Sequence, residues 1–149
     1  FYSWPGRSCC MLSRVLVPVD RSEMAQRALE YALENHPDAE ITVLHVVGEP
    51  SVMGGVATAL ALAENLEEAA QERAQGVFDS ARDLAAEHGV EITTEIRLGH
   101  PARAILDRSD DFDAVVIGTH GGSMADRLVV GNVVQKVFRN SPVPVIVTR

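Results

Sequence analysis

Residues 113–118, with the sequence DAVVIG, form an apolar run that begins at an acidic residue and ends at a glycine. A run this short and this rich in β-branched residues predicts a strand buried on both faces, as in the centre of a parallel sheet. Residues 14–20, with the sequence RVLVPVD, have the same character. These two segments are therefore predicted to be the first and fourth strands, at the centre of the sheet.

Three further strand patterns accompany them, at Ile41–Val47, Val90–Leu98 and Pro142–Val147. The third strand alternates apolar and polar residues, which indicates an edge strand solvated on one face. Pro144 has no N–H to give to a ladder, so the fifth strand belongs at the other edge. Helical patterns separate the strands, which predicts a Rossmann-like α/β domain with a five-stranded parallel sheet and helices on both faces. Right-handed crossovers then give the strand order 3-2-1-4-5.

Several residues mark the ends and faces of the predicted helices. Ser22 is a candidate N-cap for the first helix, which ends before Pro37. Gly89 stands where a left-handed residue would follow the long second helix. The pattern of the fourth helix is carried by its apolar residues Val133, Val134, Val137 and Phe138.

The order 3-2-1-4-5 reverses its winding between strands one and four, and ligands of open α/β sheets bind outside the strand ends at such a reversal. The predicted pocket therefore lies between Asp20 and Gly118. A glycine-rich segment starts there, reading Gly118-x-x-Gly121, nine further residues, and Gly131 before a helix. Glycines and a helix N-terminus bring backbone N–H groups close to an anion, which predicts a small phosphate-bearing ligand. The alternative, glycines that only form tight turns, stays open.

Composition excludes several classes of partner. The net charge is −8, and the thirteen basic residues form no stripe, so a nucleic-acid partner is not expected. Twelve of them are Arg and only Lys136 is Lys, which suits a salt-rich cytoplasm as well as ordinary acidity. The longest apolar stretch, Val52–Ala63, is too short to cross a bilayer, so no membrane partner and a cytoplasmic location are expected. The five histidines lack metal-site spacing, so no metal is expected.

The first ten residues lack the apolar middle of a signal peptide, and Met11 directly precedes a strand pattern. Residues 1–10 are therefore interpreted as a leader or cloning remnant, and residues 11–149 as a single nucleotide-binding domain. The two cysteines, Cys9 and Cys10, both fall in that leader and form no usual disulfide framework.

The three-glycine motif resembles the nucleotide motif of the universal stress protein family. The resemblance extends to Val17-Pro18-Val19-Asp20 with Ser22, Leu44-His45-Val46, Gly99-x-Pro101, Asp113–Gly121 and Ser141–Val147. It implies the adenine nucleotide alpha-hydrolase-like version of the fold. It also implies ATP binding, because members with the three-glycine motif bind ATP, with Mg²⁺ held through the phosphates.

The resemblance further implies the positions of the site residues. Asp20 and Pro18 would meet ribose and adenine, and Val46 would pack on the base. Gly118, His120 and Gly121 would line the phosphates and ribose, while Gly131, Asn132 and Val133 would hold the triphosphate. The complete set comprises Pro18, Val19, Asp20, Val46, Ile117, Gly118, Thr119, His120, Gly121, Gly131, Asn132 and Val133. Asn132 departs from the family, which usually has Ser or Thr here, and its amide is a poorer partner for phosphate-bound Mg²⁺.

Three functions follow as hypotheses. The first is an ATP-binding regulatory module of the stress response with slow or no hydrolysis, since only Asp20 or His120 offers a base. The second is a nucleotide-free dimeric scaffold of the same family, which Asn132 supports. The third, an adenylyl- or pyrophosphate-transferring enzyme, would need a different loop after the first strand. An apolar last strand also predicts a homodimer formed through Val143, Val145 and Val147.

Other residues have structural interpretations. Asp20 has an alternative use in capping the first helix. His45 lies inside a strand and is interpreted as a hydrogen-bonded core residue. The acidic run Asp107–Asp113 is interpreted as a solvated helix end and turn.

Overall fold

The computed structural model describes residues 12–47, 56–119 and 132–149 of the chain. Within these ranges strands and helices alternate from beginning to end. In chain order they are β1 (Arg14–Pro18), α1 (Glu23–Asn35), β2 (Glu40–Val47), α2 (Val56–Glu87), β3 (Ile92–Leu98), α3 (Pro101–Ser109), β4 (Ala114–Gly118), α4 (Asn132–Asn140) and β5 (Val145–Thr148).

The five strands form one parallel sheet in the order β3-β2-β1-β4-β5, which confirms the predicted fold. Leu16 in β1 pairs with Thr42 on one side and with Val115 on the other. β4 is buried along its whole length, whereas β3 is partly exposed throughout. The apolar runs thus occupy the centre of the sheet and the alternating strand an edge.

Two helical layers cover the sheet. Val15 and Val17 of β1 belong to the core under α1 and α2, together with Leu29 and Phe78. Leu16, between them, belongs to the opposite core, under α3 and α4. Successive strand residues point to opposite faces, so each central strand supplies side chains to both cores.

The predicted helix signals agree with the structure at two places. The Ser22 hydroxyl accepts a hydrogen bond from the Ala25 N–H at 3.2 Å, as an N-cap does. Gly89 has a φ of 67°, the left-handed conformation that glycine adopts at no steric cost. Both local signals therefore placed a helix end correctly.

Two other patterns were less accurate. β5 begins only at Val145, because residues 141–143 form a turn in which the Ser141 hydroxyl donates to the Val143 carbonyl at 2.7 Å. On α4, Val134 and Val137 are buried but Phe138 is 65% exposed. Phe138 lies one residue, about 100°, past Val137 around the helix, and so turns away from the core.

Residues 107–113 form a helix end and a turn with exposed acids, as predicted, but the segment is not only solvated, because Arg108 and Asp113 bond to residues of other elements. The Arg108 guanidinium donates to both carboxylate oxygens of Glu95, each at 2.8 Å, and lies 5.3 Å from the centre of the Phe112 ring. The Asp113 carboxylate accepts the N–H groups of Ser13 and Arg14, both at 2.9 Å. This segment therefore joins α3 to β3, and the start of β4 to the start of β1.

The pKa of Glu95 reflects its place in this network. Burial raises the pKa of a carboxyl, but here the hydrogen bonds and charges of Arg108 and Arg97 outweigh burial. The pKa of Glu95 is accordingly lowered below its ordinary value.

Among the helices in the described ranges, none combines the length and the apolar character needed to cross a membrane.

Candidate functional site

β1 and β4 are parallel neighbours, with Val15 opposite Ala114, so their carboxyl ends lie side by side. The line along which the strands end is called this edge of the sheet below. β2 and β3 lie on one side of this pair, and β5 lies on the other. The winding therefore reverses between β1 and β4, where such sheets bind ligands. Asp20 and Thr119 follow the two strands at this edge, and α1 starts there.

Val19 is held in place through its backbone. Its N–H donates to the Leu44 carbonyl at 2.8 Å, and its own carbonyl lies 2.9 Å from the Nδ1 of His45. A carbonyl can only accept, so Nδ1 carries a proton, and Nε2 is the acceptor when the ring is neutral. The His45 ring also meets the Phe78 ring edge to face at 6.3 Å. His45 is thus a hydrogen-bonded residue of the interior, in agreement with the sequence interpretation.

Asp20 takes part in the turn that leads into α1. Its Oδ1 accepts a hydrogen bond from the Ser22 N–H at 2.8 Å, and the side chain is exposed. Its Oδ2 makes no hydrogen bond to any residue that the structure describes. The turn before α1 therefore uses one oxygen of this exposed carboxylate, which lies where β1 ends.

Gly118 has a steric role that the sequence reading missed. A Cβ at this position would lie 2.5 Å from the carbonyl oxygen of Met24 and 2.7 Å from its carbonyl carbon. Such distances are far shorter than a van der Waals contact, and backbone atoms cannot rotate aside. The glycine therefore lets the first turn of α1 cross close to the end of β4. Its φ is not positive, so turn geometry is not the reason for it.

The remaining described candidates have different environments. The side chain of Ile117 is buried in the core under α3 and α4, so its backbone alone is available to a ligand. Val46 and Val133 are partly buried against the same core. Thr119 is also buried, and its N–H donates to the Thr148 carbonyl at 2.9 Å. Pro18 is buried at the end of β1.

The predicted phosphate-binding segment is described only at its ends. His120, Gly121 and Gly131 lie outside the described residues. Asn132, the first residue of α4, is exposed. The structure thus brings together the β1 end, the β4 end and α1, and the glycine loop between β4 and α4 stays a prediction.

A cavity of about 570 Å³ opens beside this edge, between α1 and the second half of α2. Val19 and Asp20 line one end of it, and Leu29, Gly76 and Leu84 are among the residues along its walls. Its volume is in the range of small-molecule pockets, about 300–1,000 Å³. Neither Gly118 nor Asn132 lines it, so it shares only Val19 and Asp20 with the predicted nucleotide site.

Comparison with known proteins identifies relatives of the whole chain. The universal stress protein YxiE of Bacillus subtilis is 28% identical over 148 residues, covering 93% of this chain and 100% of that protein. The solved structure of UspA from Lactobacillus plantarum has a TM-score of 0.77 and 30% identity, covering 92% of this chain and 97% of that one. A universal stress protein solved in complex with cAMP has the same fold, with a TM-score of 0.65 and 22% identity. The match covers 93% of this chain and 98% of that one.

The model of the universal stress protein family matches residues 11–149, which include every element of the described fold. The sheet order, the paired β1 and β4 ends and the coverage of these relatives agree with that match. This chain belongs to the universal stress protein family.

Proposed function

We propose that this protein binds an adenine nucleotide, ATP in the first instance, at the edge formed by the ends of β1 and β4. It then acts as a regulatory module of the stress response with slow or no hydrolysis. The observation that carries the proposal is the exposed Asp20 carboxylate, whose Oδ2 makes no hydrogen bond to a described residue, at the point where the winding of the sheet reverses. The family relationship and the cAMP complex of a protein with the same fold support an adenine nucleotide as the ligand.

Helix charges favour α4 as the helix that meets the phosphates. A helix N-terminus carries partial positive charge and unsatisfied N–H groups, which attract anions. The first turn of α1 already contains an acid, Glu23, which pairs with Arg27 at 2.7 Å. The first turn of α4 contains no acidic residue. An anion would therefore meet less repulsion at α4, and Asp20 would accept hydrogen bonds from ribose hydroxyls.

The residues available for catalysis at this edge indicate slow hydrolysis of a bound nucleotide. Phosphoryl transfer needs a group that orients water and another that stabilises developing charge. At the described part of this edge the acidic side chains are Asp20, whose Oδ1 already accepts the Ser22 N–H, and Glu23, which pairs with Arg27. Asn132 offers an amide where a hydroxyl would serve phosphate-bound Mg²⁺ better. We therefore expect binding to be measurable and hydrolysis to be slow or undetectable.

Calorimetric titration of nucleotide-free protein with ATP, AMP and cAMP, with and without Mg²⁺, tests the proposal. Asp20→Asn keeps an oxygen for the Ser22 N–H but removes the charge. A hydrogen bond to a charged group contributes about 1.5–3 kcal/mol, so we expect affinity to fall about tenfold or more. Gly121→Val should reduce it further by blocking the approach of the backbone to phosphate.

Asp38→Asn is the matched control, because Asp38 is exposed in the turn between α1 and β2, where the strands begin and not where they end. We expect it to bind nucleotide like the wild type. If Asp20→Asn and Gly121→Val also bind like the wild type, the assigned site is wrong. No heat with any of the three nucleotides would favour the nucleotide-free scaffold.

The scaffold function has its own supporting observation, an apolar surface at the β5 edge. Val147 in β5 and Phe138 in α4 are large hydrophobic residues left exposed, at 38% and 65%. We propose that this edge pairs with its copy in a homodimer, through Val143, Val145 and Val147. Val143 and Val145 pack partly against the core, so the more exposed Val147 is the better probe.

Val147→Lys is expected to convert the dimer to a monomer in light scattering, because a charge would have to be buried in the interface. Leu98→Lys is the control, since Leu98 is also a large exposed apolar residue, at 63% against 38% for Val147, but lies in β3, the strand at the opposite side of the sheet. A dimer that survives Val147→Lys, or is lost equally in Leu98→Lys, would place the interface elsewhere.

A further inference from the structure

Three potential metal ligands lie together where the strands of the sheet begin, at the end opposite the proposed nucleotide site. Glu30 and Glu34 belong to α1, and His88 directly follows α2. One ligand atom from each of the three side chains lies within 4.8 Å of the others. We infer that Glu30, Glu34 and His88 form a binding site for a divalent transition-metal ion of the Zn²⁺ type.

The geometry suits such an ion. Zinc bonds to nitrogen and carboxylate oxygen are about 2.0–2.2 Å, so the ligand atoms of a tetrahedral zinc ion lie about 3.3–3.6 Å apart. The two glutamates are four positions apart and therefore on the same side of α1. Both are exposed, so small rotations of their side chains can shorten the present separation. The site needs little rearrangement to close around an ion.

His88 is the more firmly placed ligand. The backbone N–H of His88 donates to the Ala85 carbonyl at 3.1 Å. The next residue, Gly89, follows the end of α2 with a φ of 67°. The residue is half-buried, and its imidazole makes no hydrogen bond to a residue that the structure describes. A half-buried nitrogen ligand with a hydrogen-bonded backbone thus lies beside two exposed, adaptable carboxylates of α1.

Electrostatics give an independent reason for a cation here. In the described part of the chain, neither Glu30 nor Glu34 has an ion-pair partner, although Glu23 on the same helix pairs with Arg27. Two like charges four positions apart destabilise a helix. Both α1 and α2 end at this place, and neither has a basic residue in its last turn. The negative ends of two helix dipoles are therefore left without a counter-charge.

The ligand set favours some ions over others. Mg²⁺ and Ca²⁺ prefer ligands that are all oxygen, whereas an imidazole with carboxylates suits Zn²⁺ and the neighbouring transition metals. Three protein ligands leave coordination positions for water. Because the ligands come from two helices, the complete site exists only in the folded chain, and metal binding would clamp the end of α1 to the end of α2. Spacing among histidines does not indicate this site, since its other two ligands are carboxylates.

Titration with Zn²⁺ and Co²⁺ of the full chain, free of nucleotide and carrying Cys9→Ser and Cys10→Ser to remove competing thiols, tests the inference. We expect one ion per chain, visible Co²⁺ absorption bands, and a Tm raised by about 5–10 °C when Zn²⁺ is at a hundred times its Kd. His88→Asn and the double variant Glu30→Gln with Glu34→Gln should each weaken binding by about 100-fold or more, beyond what loss of an outer-shell partner causes. Mg²⁺ should not raise the Tm.

Matched control variants distinguish the loss of a metal ligand from a general change in the charge of the protein. Glu68→Gln with Glu72→Gln removes another exposed glutamate pair at the same spacing, on α2, and His100→Asn removes an exposed histidine before α3. Both should bind Zn²⁺ like the parent. In EDTA, Glu30→Gln with Glu34→Gln should have a Tm at least as high as the parent, because a repulsion is relieved. Equal Zn²⁺ affinity in the site variants and the controls would overturn the inference and leave the nucleotide proposal untouched.

Discussion

Replacing Gly118 with alanine is expected to lower the free energy of unfolding by about 2–3 kcal/mol, the upper part of the range for overpacked sites. The added Cβ would lie 2.5 Å from the Met24 carbonyl oxygen, so α1 would have to move away from β4. For a chain of this size that loss corresponds to a Tm lower by about 5–10 °C. Urea or thermal unfolding followed by circular dichroism measures it.

Gly76→Ala is the matched control, and the expected sign is opposite. Gly76 lies inside α2, and a Cβ there would meet nothing within 4 Å. Alanine is favoured over glycine in a helix interior by about 0.8–1.0 kcal/mol, so this variant should be more stable than the wild type. If Gly118→Ala kept its stability and lost only nucleotide affinity, close approach to the ligand, and not helix packing, would explain the glycine.

Replacing Arg108 with methionine is expected to cost about 2–3 kcal/mol at neutral pH. It removes two hydrogen bonds to Glu95 and leaves that carboxylate, only 24% exposed, without its main partner. Arg97→Met is the control, because Arg97 also contacts Glu95, at 2.9 Å, but is 47% exposed. Exposed ion pairs contribute about 0.2–1 kcal/mol, so its loss should be small. If Arg108→Met and Arg97→Met lowered the free energy of unfolding equally, the larger contribution assigned to Arg108 would be wrong.

Acidification gives a second test of the same network. The folded state lowers the pKa of Glu95 below its ordinary value of 4.5, so the carboxylate contributes stability above that pH. This contribution is lost as the pH falls through the lowered pKa and the carboxyl becomes protonated. The stability difference between wild type and Arg108→Met should therefore narrow as the pH is lowered from 6 toward 3. A difference that stays constant with pH would show that Arg108 acts through its packing on Phe112 and not through its carboxylate partners, Glu95 and Asp111.

The strand order could be predicted because each strand carries its own signal. The apolar run of β4 requires a buried position, the alternation in β3 allows an exposed face, and Pro144 cannot sit inside a sheet. The caps at Ser22 and Gly89 are equally local, since each depends on one residue and its immediate neighbours. Right-handed crossovers then leave little freedom in the topology, and the meeting of β1 and β4 follows from it.

The unpredicted features of the two networks and of the sites depend on residues that lie on different elements. Arg108 and Glu95 lie on different elements, so the run of charges around Arg108 gave no sign of a partly buried partner in β3. Gly118 was interpreted only through the glycine motif, because its contact with Met24 exists only after α1 has packed on the sheet. Asp20 follows β1, as predicted, yet the hydrogen bond of its Oδ1 to the Ser22 N–H could not be told from the sequence. The metal ligands likewise come from two helices.

The position of β1 between β2 and β4 has a consequence for how the chain folds. β2 follows β1 closely in the sequence, but the other neighbour is distant: Arg14 is hydrogen-bonded to Asp113, 99 positions away. At a synthesis rate of about 5–20 residues per second, about 5–20 seconds separate the two strands on the ribosome. Throughout that interval one side of β1, a central strand of the sheet, has no partner, and an open strand edge is a template for mispairing. We therefore expect β1, β2 and β3 to assemble first with α1 and α2, and the docking of β4 to be a late step that completes the sheet.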